Sequence, residues 1–331
     1  MKNALLGLAA VAAIAAIGFA GGLVPALRFP LAILLPYAAI VVFLVGITLR
    51  AIGWAKSPVP FRIPTTCGQQ RSLPWIESAR LDNPSTGAGA AARVLLEAFL
   101  FRSLFRNSRA QLLPDGRLVY GGDRSLWALS LAFHASLLVV LLRHLRLFVE
   151  PVPGFVLLLQ DVDGFFQVGV PGVYITDVVL VIALAGLAAR RLSEERMRYL
   201  SLPVDHALVF LLGAIAASGL VLRHVVRTDL AAVKELAVSL VTFHPMVPEG
   251  LGATALLHVT LVSSLLIAAP FTKLVHAGAV FLSPTRNLAN NSRARRHVNP
   301  WNPPVKGRSY AEWEDEFRDR MKAAGVAVEK D

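Results

Sequence analysis

Apolar positions in this chain come in long unbroken runs. They lack the period-two alternation of a half-buried strand and the 3.6-residue stripe of a surface helix. A bilayer core of about 30 Å takes about 20 apolar residues per helix. Six segments reach that length, roughly 4–24, 31–53, 126–148, 172–191, 205–224 and 251–282. They predict an all-α integral membrane protein with six transmembrane helices. The first run follows Lys2 and is Ala-rich, as a signal peptide would be. Its length, and the second run close behind it, predict a retained helix instead. The polar stretch 54–125 is too long to be a mere connector. Its segment Arg93–Arg106 (RVLLEAFLFRSLFR) predicts a helix lying at the membrane interface or packed on neighbouring elements. After the sixth run the tail passes through the extended stretch Asn299–Pro304. It then predicts a short helix, with Ser309 as N-cap and Glu312 three residues later completing a capping box.

Composition supports the membrane reading. Of 331 residues, 55% are apolar and 17% charged, against about a quarter charged in soluble domains; mean hydropathy is +0.57. The net charge of +11 is spread over several loops and does not cluster with aromatic base-stacking platforms, which argues for cytoplasmic loops facing anionic lipid rather than for nucleic acid. Residues 54–125 carry Lys56, Arg62, Arg71, Arg80, Arg93, Arg102, Arg106, Arg109, Arg117 and Arg124. Arg190, Arg191, Arg196 and Arg198 follow the fourth run, and Arg286, Arg293, Arg295, Arg296, Lys306 and Arg308 follow the sixth. The 149–171 loop has Glu150, Asp161 and Asp163 but no Lys or Arg. This alternation predicts a multi-pass protein of the bacterial cytoplasmic (inner) membrane with both termini in the cytoplasm. Arg143, Arg146, Arg223 and Arg227 run against it, at the outer ends of the third and fifth runs. The single cysteine, Cys67, excludes a disulfide framework, a Cys-ligated iron–sulfur cluster and a Cys-based zinc site within the chain.

Setting aside His206 and His224 at the ends of the fifth run, four of the eight histidines lie inside membrane segments: His134 and His144 on the third run, His258 and His276 on the sixth. Ionisable residues at that depth are expensive and mark function. At 1.5 Å and 100° per residue, His134 and His144 are about 15 Å apart along a helix, and His258 and His276 about 27 Å apart and nearly on one face. The two helices run antiparallel, so His134 meets His276 at the inner level and His144 meets His258 at the outer. Paired neutral imidazoles are axial ligands of a low-spin b-type haem, which moves single electrons and leaves no open iron position. Two haem b groups are therefore expected. The spans differ by about 12 Å, which requires helix tilt or a bend at Pro270. The competing readings are a di-metal site, which wants carboxylates beside the histidines, and a transporter or membrane anchor whose histidines relay protons or bind metal.

The histidine spacings of ten and eighteen resemble those of the cytochrome b subunit of respiratory nitrate reductase, the gamma subunit, with five membrane helices and two bis-His haems. A fuller resemblance, over nearly the whole chain, is to the DsrM subfamily of that superfamily, found in DsrMKJOP sulfur-metabolism complexes. It is carried by SPVPFRIPTTCGQQRSLPWI (57–76), LDNP (81–84), FLFRSLFRN (99–107), EPVPGF (150–155) and VNPWNPPVKGRSYAEWEDEFRDRM (298–321). The resemblance divides the chain into an extra N-terminal helix (1–30), a first core helix (31–53), a cytoplasmic loop region (54–125), a di-haem core (126–282) and a cytoplasmic tail (283–331). It implies a quinone-linked electron-transfer subunit of an oxidoreductase complex in dissimilatory sulfur metabolism. The implied partners are a cytoplasmic iron–sulfur subunit like heterodisulfide reductase (DsrK) and subunits like DsrJ, DsrO and DsrP. It gives the same pairing, His134 with His276 and His144 with His258, and puts the quinone site near the outer haem.

Further candidates surround the ligands. Haem propionates suit bidentate arginine, so Arg143, Arg146 and Arg223 are candidates to hold the outer haem. Lys273, three residues before His276, is a candidate at the inner one. Snorkelling to lipid phosphate is the competing use of these cations. Quinol oxidation needs a proton acceptor, and of His224, Lys234, Glu235 and His244 the first choice is His224. Gly213, Gly219 and Gly278 permit close approach of a ring or a helix.

Overall fold

The computed structural model describes residues 2–56, 80–107, 109–164, 172–282, 287, 289 and 307–330. Cys67, His297, Arg62, Arg71, Arg286, Arg293, Arg295, Arg296, Lys306, the motif at 57–76 and the stretch Asn299–Pro304 lie outside the described residues. Among the described residues, five helical stretches are long and apolar enough to cross a membrane: Lys2–Leu23, Pro25–Lys56, Arg124–Leu147, Pro203–Val225 and Ala253–Phe271. The first is α1 (Lys2–Leu23). The second joins α2 (Pro25–Phe29), a π-turn (Pro30–Leu34) and α3 (Leu35–Lys56).

The loop region folds into α4 (Gly87–Leu100), α5 (Arg102–Asn107) and an antiparallel hairpin of β1 (Arg109–Leu112) and β2 (Leu118–Gly121). The expected helix at Arg93–Arg106 is thus interrupted. Phe101 sits in the left-handed region at φ 48° and separates α4 from α5. The hairpin is the one departure from an all-α chain among the described residues. Its turn reads Pro114-Asp115-Gly116, with Gly116 at φ 81° and Arg117 N–H bonded to the Asp115 carboxylate at 3.1 Å. Pro-Asp-Gly between apolar pairs is a turn signal with a mechanism, and it is present in the sequence.

The third stretch is α6 (Arg124–His144) with one 3-10 turn (Leu145–Leu147). Asp123 caps it, accepting from Leu126 N–H at 3.0 Å. Then come α7 (Gly154–Asp163), α8 (Ile175–Ser193) and α9 (Glu195–Leu200). The fourth stretch is α10 (Pro203–Leu220) followed by a π-turn (Val221–Val225). α11 (Leu230–Val241), α12 (Ala253–Ala268), α13 (His276–Leu282) and α14 (Tyr310–Ala323) complete the chain.

The segment expected to be the fourth span is α8. It has Asp177 in its first turn and Arg190 and Arg191 in its last, so less of it is apolar than of the other five. It nevertheless sits in the bundle. Leu180, Ala183 and Leu184 pack with Phe133 of α6 and reach Leu212 and Ala216 of α10, and Arg190 pairs with Asp123 at 2.6 Å. The N-terminal helix is no peripheral addition either. Val11 packs with Leu211 of α10 and Leu261 of α12. A Cβ at Gly18 would lie 2.8 Å from Leu257 Cα, and one at Gly22 only 2.2 Å from Ala253 Cα. The pair is a GxxxG spacing that lets two helix backbones touch.

The expected sixth span is not one helix. α12 ends at Ala268, and a 3-10 turn over Ala269–Phe271 contains the buried Pro270. Thr272 is extended (φ −123°, ψ −177°), and a second 3-10 turn over Lys273–Val275 leads into α13. Proline removes a helix hydrogen bond and clashes with the preceding turn, which explains where the break falls. In the tail, Ser309 and Glu312 form the expected capping box. The buried Glu314 carboxylate accepts Glu329 N–H at 2.9 Å and Lys330 N–H at 2.8 Å, folding the last residues back on α14.

Candidate functional site

The break at Pro270 places His276 at the start of α13, where its ring faces His134 of α6. The centroids are 6.0 Å apart and the planes 82° to one another. Phe101 and Phe133 pack on the His134 ring at 4.8 and 4.7 Å. Phe101 reaches it because its left-handed conformation turns the chain between α4 and α5. The Trp127 indole N–H holds that corner by donating to Leu100 O at 2.9 Å. At the other level, His258 of α12 lies within electrostatic reach of His144 at the end of α6. Gly219 of α10 leaves room beside it, since a Cβ there would stand 3.5 Å from the His258 ring.

The protein fixes each imidazole through the same nitrogen. His134 Nδ1 lies 2.8 Å from Ser130 O, His144 Nδ1 2.7 Å from Val140 O, and His276 Nδ1 2.6 Å from Lys273 O. His258 Nδ1 lies 2.8 Å from Ser218 Oγ, and that hydroxyl donates onward to Ile215 O at 2.9 Å. A carbonyl only accepts, so Nδ1 carries the proton and Nε2 keeps its lone pair. That is the tautomer of a metal-ligating histidine with an oriented outer partner. The donor set fits a haem iron. Two imidazoles bonded across one metal at the usual distance of about 2.0 Å put their centroids about 6.3 Å apart, close to the 6.0 Å between His134 and His276. Among the described residues no group of three or more His, Cys, Asp or Glu is placed to hold a metal ion, so the di-metal reading has no support.

The remaining candidates divide by partner. Arg143 is 8% exposed. It pairs with Asp163 at 3.2 Å and Asp177 at 2.7 Å, and its guanidinium lies over the Tyr174 ring at 3.7 Å. Arg223 covers the same ring at 4.1 Å and donates to Gly172 O at 3.0 Å. Arg146 donates to the Gln160 side chain at 2.8 Å. Lys273 pairs with the buried Asp205 at 2.7 Å, which ties the turn before His276 to the start of α10. His224 sits in the π-turn after α10, with Nε2 buried and without a hydrogen-bond partner among the described residues. Lys234 pairs with Glu150, and His244 Nδ1 bonds Thr242 O at 2.7 Å. Beside Gly213 and Gly278 a Cβ would meet open space. Sequence reasoning missed Ser218, Tyr174, Asp163, Asp177 and Asp205. Each is defined by a partner on another helix or loop, and only Asp205, at the third position of a Pro-started helix, carries a local signal.

Comparison with known proteins agrees with this arrangement. The nitrate reductase gamma subunit family matches residues 117–294, a range holding all four paired histidines and leaving α1 to α5 outside. A protein of Archaeoglobus fulgidus named Hdr-like menaquinol oxidoreductase cytochrome b-like subunit is 47% identical over 278 residues, covering 82% of this chain and 83% of its own. A protein of the same name from Archaeoglobus profundus is 42% identical over 276 residues, covering 81% and 82%. With a multi-helix apolar bundle, facing histidines and a match over more than half its length, the chain belongs to the nitrate reductase gamma subunit family of membrane cytochrome b subunits.

Proposed function

We propose that this chain is the di-haem b subunit that exchanges electrons between the membrane menaquinone pool and a cytoplasmic iron–sulfur subunit. The observation that carries the reading is the 6.0 Å opposition of His134 and His276. The fixed Nδ1 tautomer of all four histidines stands behind it. His134 and His276 would hold one haem, His144 and His258 the other. Bound there, the two groups would supply one-electron carriers at two depths of the bilayer. The protein's own part is positional. Ser130, Val140, Ser218 and Lys273 engage each Nδ1 and leave each Nε2 to hold the haem iron that would bind there, and Phe101 and Phe133 pack on the His134 ring.

On the outer side, His224 is the proposed acceptor of the quinol proton. Its buried Nε2 has no hydrogen-bond partner among the described residues, which leaves it open to a quinol hydroxyl, and π-turns cluster at functional positions. Arg146 and Arg223 have neutral partners and an uncompensated charge to offer a propionate. Arg143 already has two carboxylates, so we assign it to structure, and Lys273 to holding the His276 turn against Asp205. The relatives' names carry both menaquinol and a heterodisulfide-reductase likeness. With the loop and tail motifs at 81–84, 99–107 and 298–321, this supports a DsrK-like partner docked on the loop region and tail, with DsrJ-, DsrO- and DsrP-like subunits beside it in a sulfur-metabolising complex. The arginine-rich loops support a cytoplasmic location for both ends.

A dithionite-reduced minus oxidised spectrum, with haem quantified per polypeptide, tests this on the parent, His134→Ala and His258→Ala. Two b-type haems in the parent and one in each variant are expected. A folded parent without haem would sink the electron-transfer reading.

A further inference from the structure

The first turns of α1 and α10 and the last turn of α8 meet at one end of the bundle. They enclose a pocket of about 180 Å³ lined by Lys2, Asn3, Ala4, Leu192, Arg198 and His206. Its floor is made of donors. Lys2, Asn3 and Ala4 of α1 form one wall of the pocket. Lys2 and Arg198 add two cations, and Arg198 is only loosely held by the exposed Glu195 at 3.6 Å. Arg191 stands behind, donating to Ser201 Oγ at 3.0 Å, and Asn3 fixes the wall by donating to Ser201 O at 2.9 Å.

His206 is the independent indication of a ligand. It is 96% buried (4% exposed), stacks on Phe210, and lines the pocket. No described residue hydrogen-bonds its imidazole. Its neighbour Asp205 is already bound to Lys273 and to Leu202 N–H. A buried imidazole without a hydrogen-bond partner among the described residues, two cations and the Asn3 amide on one concave surface suit an oxyanion. The volume is below the roughly 300–1,000 Å³ of sites that enclose whole drug-sized ligands, so it fits a headgroup. The position chooses the source. α1 and α10 are both membrane spans starting here, and Leu5, Leu8 and Leu202 are exposed beside the opening, where acyl or isoprenoid chains would lie.

We propose that this pocket binds the phosphodiester headgroup of an anionic membrane phospholipid, seating the first helix against α8 and α10. The claim is independent of the haem reading. The test is native mass spectrometry of the full-length protein in detergent micelles, titrated with phosphatidylglycerol or phosphatidylcholine. The parent is expected to prefer phosphatidylglycerol, and Lys2→Gln with Arg198→Gln to weaken that binding about 30-fold, as the loss of two surface cations predicts. His206→Phe, which keeps the stacking on Phe210, is expected to weaken it while circular dichroism stays that of the parent. Equal phosphatidylglycerol affinity in parent and double variant would overturn the proposal. So would inorganic phosphate displacing the lipid at equal concentration, which would make this a site for free anions.

Discussion

A guanidinium taken out of water is stable only where carboxylates and hydrogen bonds surround it. Arg143 has Asp163, Asp177 and Thr176 on its edges and the Tyr174 ring on its face. Removing that charge strands two carboxylates, so Arg143→Gln is expected to cost about 3–5 kcal/mol and to lower the melting temperature and both haems together. Arg146 and Arg223 have neutral acceptors and more exposure. Their Gln variants are expected to stay within about 1 kcal/mol of the parent while shifting the midpoint potential of the outer haem alone. Unchanged potentials in both would leave these arginines without a propionate role. The sequence flagged all three as one class, because each is an arginine at the wrong end of a helix. What separates them is the position of Asp163 and Asp177, which sit across a loop and on another helix. The same limit applied to His258. Its neighbours on α12 say nothing of Ser218, forty residues away on α10, whereas the carbonyls under His134 and His144 follow from helix geometry, four residues back on the same element.

At the scale of the element, the rings of His134 and His276 stand 6.0 Å apart, and the mismatch of spans that called for tilt or a bend at Pro270 is met by a break in the helix at that residue. A continuous helix would carry His276 about 27 Å below His258, too far for a partner His134 only about 15 Å from His144. Two 3-10 turns and the extended Thr272 redirect the chain instead. Pro270 packs at this corner against Gly46 of α3, where a Cβ would stand 2.6 Å from the proline ring, and its carbonyl accepts from Arg50 Nε at 3.0 Å. The proline was legible; the size of its effect was not, because it depends on what α3 offers the broken backbone. Pro270→Ala restores an N–H and permits α12 to run on. On the proposed ligation, loss of the haem held by His134 and His276 with retention of the other is expected, read as a fall from two haems toward one per polypeptide. Two unchanged haems would mean that packing against α3, rather than the proline, makes the break.

Over the whole molecule, long apolar runs alternate with arginine-rich loops along the chain. The long hydrophobic runs were legible because twenty apolar residues have few other uses. The seating of α1 between α10 and α12 was not, since glycines in an Ala-rich run specify close packing without naming the partner. Beyond the long apolar stretches, the loop region folds α4, α5 and the hairpin, and the tail folds α14. On α14 the rings of Tyr310, Trp313 and Phe317 follow one another at 6.1 and 5.7 Å, with Tyr310 47% and Trp313 40% exposed. Neighbouring exposed aromatics on a soluble helix mark a contact surface. The five carboxylates of that helix against three cations disfavour anionic lipid as what they contact and favour a protein. Buried aromatic anchors each carry a large share of binding energy, often 2 kcal/mol or more. Trp313→Ala with Phe317→Ala is therefore expected to reduce co-purification of the proposed iron–sulfur partner at least about 30-fold, with both proposed haem signals intact. His134→Ala is expected to do the reverse, losing one haem and keeping the partner. Full retention of the partner by the α14 variant would move the docking surface to the loop region, where Arg102 and Asp82 already hold α5 against the segment before α4.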